Sequence, residues 1–219
     1  MAMLVKLENN TTPKEYSASG LELGAARTRI MASWVAQNHS LCHLHLSRAQ
    51  IKDEDGAEIA KILYTNKTLR KLELEGNQLG PKSATVFGKA LIVNTTLQAL
   101  DLENNSLTND SDDAKGMIEL IHALSKNTTL ISLNLGNNKL EQAIGLELRK
   151  MLEQPAQVPE TYYPEPAPIQ RVLCYKNTSI IDLEIAFNNF TLEDVSHLAF
   201  NLVLEKGDPE ATQREQASL

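Results

Sequence analysis

Cys42-His43-Leu44-His45 is the one cluster of metal-capable side chains in the sequence. On a strand, His43 and His45 stand two apart and share a face. Two or three ligands on one strand do not close a tetrahedral site, so no metal is expected here. Asp110, Asp112 and Asp113 form an acidic run in TNDSDDAK. That run lacks the glycine and the terminal glutamate of a calcium loop, and reads as the solvated start of a helix. A Gly-rich phosphate loop, GxSxG, HExxH and CxxC are all missing from the sequence. The sequence therefore predicts no catalytic residues, no cofactor and no small-molecule substrate.

Charge narrows the partner class. With 28 acids against 21 bases the net charge is −7. This disfavours nucleic acid and anionic membrane, and favours a protein partner of basic character. No apolar run approaches the roughly 18 residues that cross a bilayer. The N-terminus, MAMLVKLENN, lacks an apolar core followed by a small-residue cleavage site. Two cysteines in 219 residues fit a reducing compartment, and a cytoplasmic location is expected. Ten Asn-x-Ser/Thr sequons occur, but most follow from a repeat and not from glycosylation.

That repeat supplies the scaffold. NTTLQALDLENNSL at Asn94 returns almost unchanged as NTTLISLNLGNNKL at Asn127. The pattern N-x-[ST]-L-x-x-L-x-L-x-x-N-x-L also fits from Asn66 and, with Ile and Phe substitutions, from Asn177. It fits from Asn38 as well, with Ala49 in place of the second Asn, so the starts are spaced 28, 28, 33 and 50. Counting back 28 from Asn38 reaches a degraded copy at Asn10, where Tyr16, Ala18 and Leu23 hold the apolar places. Terminal repeats are expected to be atypical. The Leu-x-Leu half has period two and predicts a short strand. The second half places apolar residues four apart, as at Ile59 and Leu63 or Phe87 and Leu91, and predicts a helix.

These residues resemble the leucine-rich repeat family in the 28-residue variety typified by ribonuclease inhibitor. Tropomodulin, the Ran GTPase activator and the NOD-like receptors carry similar repeats. The resemblance implies an α/β solenoid, a short horseshoe of about six strand-loop-helix repeats, with a parallel sheet on the concave face and helices on the convex face. One unit cannot bury its own leucines, so units must stack. Leu69, Leu72, Leu74 and Leu79 are expected in the core, with Leu97, Leu100, Leu102 and Leu107 one layer above. Asn77, Asn105, Asn138 and Asn188 are expected to satisfy backbone groups where the chain leaves the sheet. The Asn that heads each phrase is expected in the left-handed conformation that ends many helices. Cys42 and Cys174 lie three to four layers apart, too far for the roughly 7 Å a disulfide spans. The domain reading is an N-terminal cap over 1–9, repeats over 10–206 and a polar disordered tail over 207–219. A proline-rich insert of about 153–174 interrupts the repeats.

In such a family, residues beside and just after the strand leucines face the hollow. His45, Arg48, Glu73, Glu75, Asp101, Glu103, Asn134, Glu184 and Phe187 are thus candidate partner-binding residues. Glu73 would stand beside Asp101, and Glu75 beside Glu103, which is mildly destabilising unless a partner or water screens them. Tyr162 and Tyr163 are a second candidate contact, in a loop stiffened by five of the chain's eight prolines. The expected function is non-enzymatic: a protein-protein interaction module, scaffold or assembly subunit. Two alternatives follow from the resemblance. One is a regulator of a small GTPase. The other is a cytoskeletal or ciliary structural component.

Overall fold

The computed structural model describes residues 11–109, 113–153, 179–180, 182–186 and 188–190. Six three-residue strands alternate with five helices: β1 (Glu15–Ser17), α1 (Gly24–Gln37), β2 (His43–His45), α2 (Asp53–Thr65), β3 (Lys71–Glu73), α3 (Pro81–Val93), β4 (Ala99–Asp101), α4 (Lys115–Leu124), β5 (Ser132–Asn134), α5 (Gln142–Glu153) and β6 (Asp182–Glu184). The strands pair in chain order, β1 to β6, every pair parallel. The register stacks Tyr16, Leu44, Leu72, Leu100, Leu133 and Leu183 in one column. This is the predicted leucine-rich repeat solenoid. The predicted cap, insert beyond Glu153, end of the repeat region (191–206) and tail lie outside the described residues, as do Cys174, Asp110 and Asp112.

Each coil contributes the same apolar set to one continuous core. Leu69, Leu72, Leu74 and Leu79 are buried, and so are Leu97, Leu100, Leu102 and Leu107 one coil later. Burying such a side chain is worth roughly 1.5–3 kcal/mol, so a coil that cannot fold alone is held once its neighbours are present. The degraded first coil joins with less: Ala18 is buried, while Tyr16 and Leu23 pack partly buried against the core.

Two ladders of asparagine tie coil to coil. At the first, Asn66 Nδ2 donates to Val35 O (2.8 Å) and Asn38 O (3.0 Å) of the preceding coil. Its Oδ1 accepts from Thr68 N (2.9 Å) and Leu69 N (2.7 Å) of its own. Asn94 and Asn127 repeat the arrangement. Here the expectation of a left-handed backbone fails. Asn38, Asn66 and Asn94 are extended, with ψ of 137°, 132° and 128°. The residue is used for its amide, which needs a donor and an acceptor on one short side chain, and not for its tolerance of positive φ. The second ladder behaves as expected: Asn77 Nδ2 donates to Leu46 O and Leu74 O, and its Oδ1 accepts from Ala49 N and Ile51 N.

Helix starts are also shared between coils. Gly80, at the head of α3, has no side chain to cap with, and Pro81 follows at the first helical turn. Asp53 of the previous coil supplies the acceptor, taking Gly80 N (2.8 Å), Ser83 N (2.7 Å) and Lys82 N (3.1 Å). We predict that Asp53→Ala lowers stability by about 1–2 kcal/mol, the usual cost of losing an N-cap. A urea titration reads this, and Asp53→Asn should recover part of the loss. Just before α4, Asp113 Oδ1 accepts from Lys115 N (3.1 Å). Among the described residues, no helix is long and apolar enough to cross a membrane.

Candidate protein-binding face

Among the described residues, helices cover one side of the sheet and leave the other bare. On that side, residues flanking the buried central leucine of β2 to β5 are half-buried, as period-two alternation requires, and in the end strands β1 and β6 they are exposed. Register therefore builds two rows at the described residues. One runs Ser17, His45, Glu73, Asp101, Asn134, Glu184. The other runs Glu15, His43, Lys71, Ala99, Ser132, Asp182. Five of the predicted residues, His45, Glu73, Asp101, Asn134 and Glu184, thus share a single row.

Arg48, Glu75 and Glu103 stand just beyond the strand ends. Backbone bonds Arg48 N to Glu75 O (2.8 Å) and Gly76 N to Glu103 O (2.9 Å) hold the turns side by side. The same turn position carries positive φ in the five coils where it is described: Gly20 (73°), Arg48 (55°), Gly76 (68°), Asn104 (53°) and Asn137 (51°). Glycine and asparagine adopt that region readily, whereas arginine there is unusual. Phe187, Tyr162 and Tyr163 lie outside the described residues.

The charges are not spread evenly. Over β1 to β3 they neutralise one another. Glu73 is gripped by His45 Nδ1 and by Lys71 Nζ, the latter at 2.5 Å. Arg48 Nη2 donates to Glu75 Oε1 at 2.7 Å. Burial works to raise the Glu73 carboxyl, but the hydrogen bonds and charges of His45 and Lys71 outweigh it and hold the group below its ordinary value. The expected adjacency of Glu73 and Asp101 is present, but Glu73 does not face it as a bare charge.

Over β4 to β6 the acids have hydrogen bonds without cations. Asp101 Oδ1 accepts from Glu103 N (2.9 Å), Glu103 from Asn134 Nδ2 (2.9 Å), Asp182 from Ser132 Oγ (2.9 Å) and Glu184 from Ala186 N (2.7 Å). Among the described residues none of these four makes an ion pair. Burial pushes the Asp101 carboxyl above its ordinary value. The Glu103 N–H opposes this, and the charges of Glu103, Glu75 and Glu73 reinforce it. A shallow depression of about 320 Å³ opens here, lined by Lys71, Glu73, Asp101, Asn134, Asp182 and Glu184.

Sequence reading missed Glu15, Lys71, Ser132 and Asp182. The signal was available: the residue before each central leucine lies on the same face as the residue after it. The rotamer that turns His45 and Lys71 toward Glu73 left no trace in the spacing.

Comparison with known proteins agrees with this geometry. A leucine-rich repeat family model matches residues 37–60, 65–88, 93–111 and 126–148. No curated protein matches the sequence. Among solved structures, the chain is similar to actin-binding site 2 of leiomodin-1, with 17% identity over 98% of this chain and 93% of that one, at a TM-score of 0.55. It is also similar to the C-terminal domain of Caenorhabditis elegans tropomodulin, with 13% identity over 100% and 98%, at a TM-score of 0.56. With leucines in register across five of six consecutive parallel strands and the repeat matched in its middle coils, this chain belongs to the leucine-rich repeat family.

Proposed function

We propose that this protein is a non-enzymatic binding module that holds a basic segment of a protein partner on its bare sheet face, as a scaffold or assembly subunit. One observation carries the reading: Asp101, Glu103, Asp182 and Glu184 crowd one half of that face with no described cation among them. Lysine or arginine side chains of a partner would supply the missing charge. His45, Arg48, Glu73, Glu75 and Asn134 would line the rest of the contact, and Phe187 with Tyr162 and Tyr163 are proposed as apolar additions to it.

Carboxyl-to-lysine cross-linking in native extract, read by mass spectrometry, is expected to join partner lysines to Asp101, Glu103 or Glu184. The double reversal Asp101→Lys with Glu184→Lys should lose the partner by at least tenfold in affinity, about 1.4 kcal/mol. Affinity should also fall as pH drops through the raised value of Asp101, because the protonated carboxyl no longer attracts a cation. A partner held equally by the reversed variant, or cross-linked solely to the helical side, would sink the proposal.

A second reading is favoured by the likeness to the leiomodin-1 domain, which spans nearly all of both chains. That domain is an actin-binding site, and an actin-associated role follows for this chain by analogy. Co-sedimentation with actin filaments tests it directly. A regulator of a small GTPase has no comparable support in the geometry.

A further inference from the structure

The edge where each helix hands over to the next strand is unlike the acidic sheet face. Four such turns are described in full: 36–42, 64–70, 92–98 and 125–131. They hold no aspartate or glutamate, where the chain average of 28 acids in 219 residues would place about three or four. They do hold four of the seven large apolar side chains exposed among the described residues: Tyr64 (40%), Ile92 (48%), Val93 (51%) and Ile131 (39%). Lys67, Arg70 and Lys126 stand beside them, and none of the three makes an ion pair among the described residues. Further up the helices the acids are already taken: Glu58 pairs with Lys61, Glu119 with Lys89 and Glu147 with Lys150.

Hydrogen bonds hold these turns side by side. Gln98 N donates to Arg70 O and Ile131 N to Gln98 O, both at 2.8 Å. The head asparagines add Asn66 Nδ2 to Asn38 O (3.0 Å) and Asn127 Nδ2 to Asn94 O (3.1 Å). A helix C-terminus favours cations, which accounts for the sign of the edge. It does not account for apolar side chains left in water beside those cations. Along the stack the turns read Tyr64 with Lys67 and Arg70, then Ile92 with Val93, then Lys126 with Ile131. A depression of about 300 Å³ between α4 and α5 opens at Lys126, with Ile121 and Met151 among its lining.

We infer that this edge docks an acidic segment of a protein partner, with apolar side chains on Ile92 and Val93 and carboxylates reaching Lys67 and Lys126 on either side. Two coil spacings separate the two lysines, roughly 10–20 Å between the strand and helix values. About three to six residues of extended chain span that distance. The inference does not rest on what binds the sheet face, which calls for the opposite charge. Three unpaired cations fall short of the roughly four to eight that mark a lipid-binding cluster, which favours a protein segment over an anionic membrane.

Selection from a random peptide display library on the full chain tests this. Peptides with apolar residues between acids should be enriched. In fluorescence anisotropy, a labelled peptide from that set should bind about tenfold more weakly to Lys67→Glu with Lys126→Glu, and to Ile92→Ser with Val93→Ser. All four side chains are exposed, so unfolding midpoints should stay close to wild type. Lys82→Glu, an exposed position at the opposite end of α3, should bind as wild type does. Enrichment of basic peptides alone, or acidic peptides held equally by wild type and both double variants, overturns the inference. So does co-sedimentation with phosphatidylserine vesicles, or self-association in analytical ultracentrifugation, that Lys67→Glu with Lys126→Glu abolishes. The edge would then serve a membrane or a second copy of the chain.

Discussion

Gly116→Ala is expected to cost the fold about 2 kcal/mol or more, although it adds a single methyl to a helix. A β-carbon at Gly116 would fall 2.1 Å from the carbonyl oxygen of Pro81 and 2.9 Å from its carbon. Those are backbone atoms at the start of α3, and they cannot swing aside. Alanine favours a helix interior over glycine by about 1 kcal/mol, but overpacking costs typically 1–3 kcal/mol, so the clash wins. The pair α3 and α4 is the most extensively packed helix pair of the stack, and Gly116 sets its approach. Gly88→Ala is the graded comparison. Its β-carbon would meet Leu120 Cα at 2.9 Å and Leu120 N at 3.0 Å, a tight fit that a smaller shift relieves. Urea titrations should rank wild type above Gly88→Ala above Gly116→Ala. A Gly116→Ala midpoint equal to wild type would mean that α4 does not sit on the Pro81 carbonyl.

Much of the architecture was legible because it repeats. Leu72, Leu100, Leu133 and Leu183 occupy the same place in the phrase, and a parallel stack has no way to use them except in register. Even the degraded first copy could be found by counting back 28 residues, since Tyr16 and Ala18 keep the inward places. The candidate surface residues followed from the family resemblance, in which those beside and just after the strand leucines face the hollow.

What the sequence hid was of another kind. Asp53 caps α3, a helix that begins 28 residues later, so its acceptor and donors never appear in one local motif. The head asparagines were assigned a backbone conformation when their value lies in the amide. Glu73 looked like one of several like charges, yet it lies under His45 and Lys71. Each of these depends on which rotamer reaches across to the next coil. A periodic pattern fixes which residues are neighbours without fixing which way they turn. Arg48 is the remaining exception. Its positive φ could be inferred from Gly76, Asn104 and Asn137 at the same position, but not from arginine itself.

Asn94 gives the second large expected effect. It is 2% exposed. Its amide donates to Leu63 O at 2.8 Å and accepts from Thr96 N at 3.0 Å and Leu97 N at 2.8 Å. Asn94→Ala strands two buried backbone groups, Leu63 O and Leu97 N, and the part-buried Thr96 N; at about 1–3 kcal/mol for each buried group, a loss of about 3 kcal/mol is expected. Asn138 provides the contrast. It is fully buried and donates to Leu102 O and Leu135 O, but its Oδ1 has no partner. Asn138→Ala therefore frees no N–H and should cost less. Asn94→Asp separates the donor from the acceptor. A carboxylate there can still accept from Thr96 N and Leu97 N, but it faces the carbonyls of Leu63 and Asn66 with nothing to donate. Burial and those carbonyls raise the new carboxyl's pKa in the folded chain, so the folded form takes up the proton first. Stability of Asn94→Asp should then be lowest at neutral pH and recover as pH falls toward about 4, opposite in sign to a salt-bridged carboxylate. Because coils couple through nearest neighbours, the break should also uncouple the coils on either side of Asn94. A smaller urea slope in Asn94→Ala than in Asn138→Ala would report that loss of cooperativity. Equal midpoints and slopes for the two alanine variants would show that the ladder is packing and not hydrogen bonding.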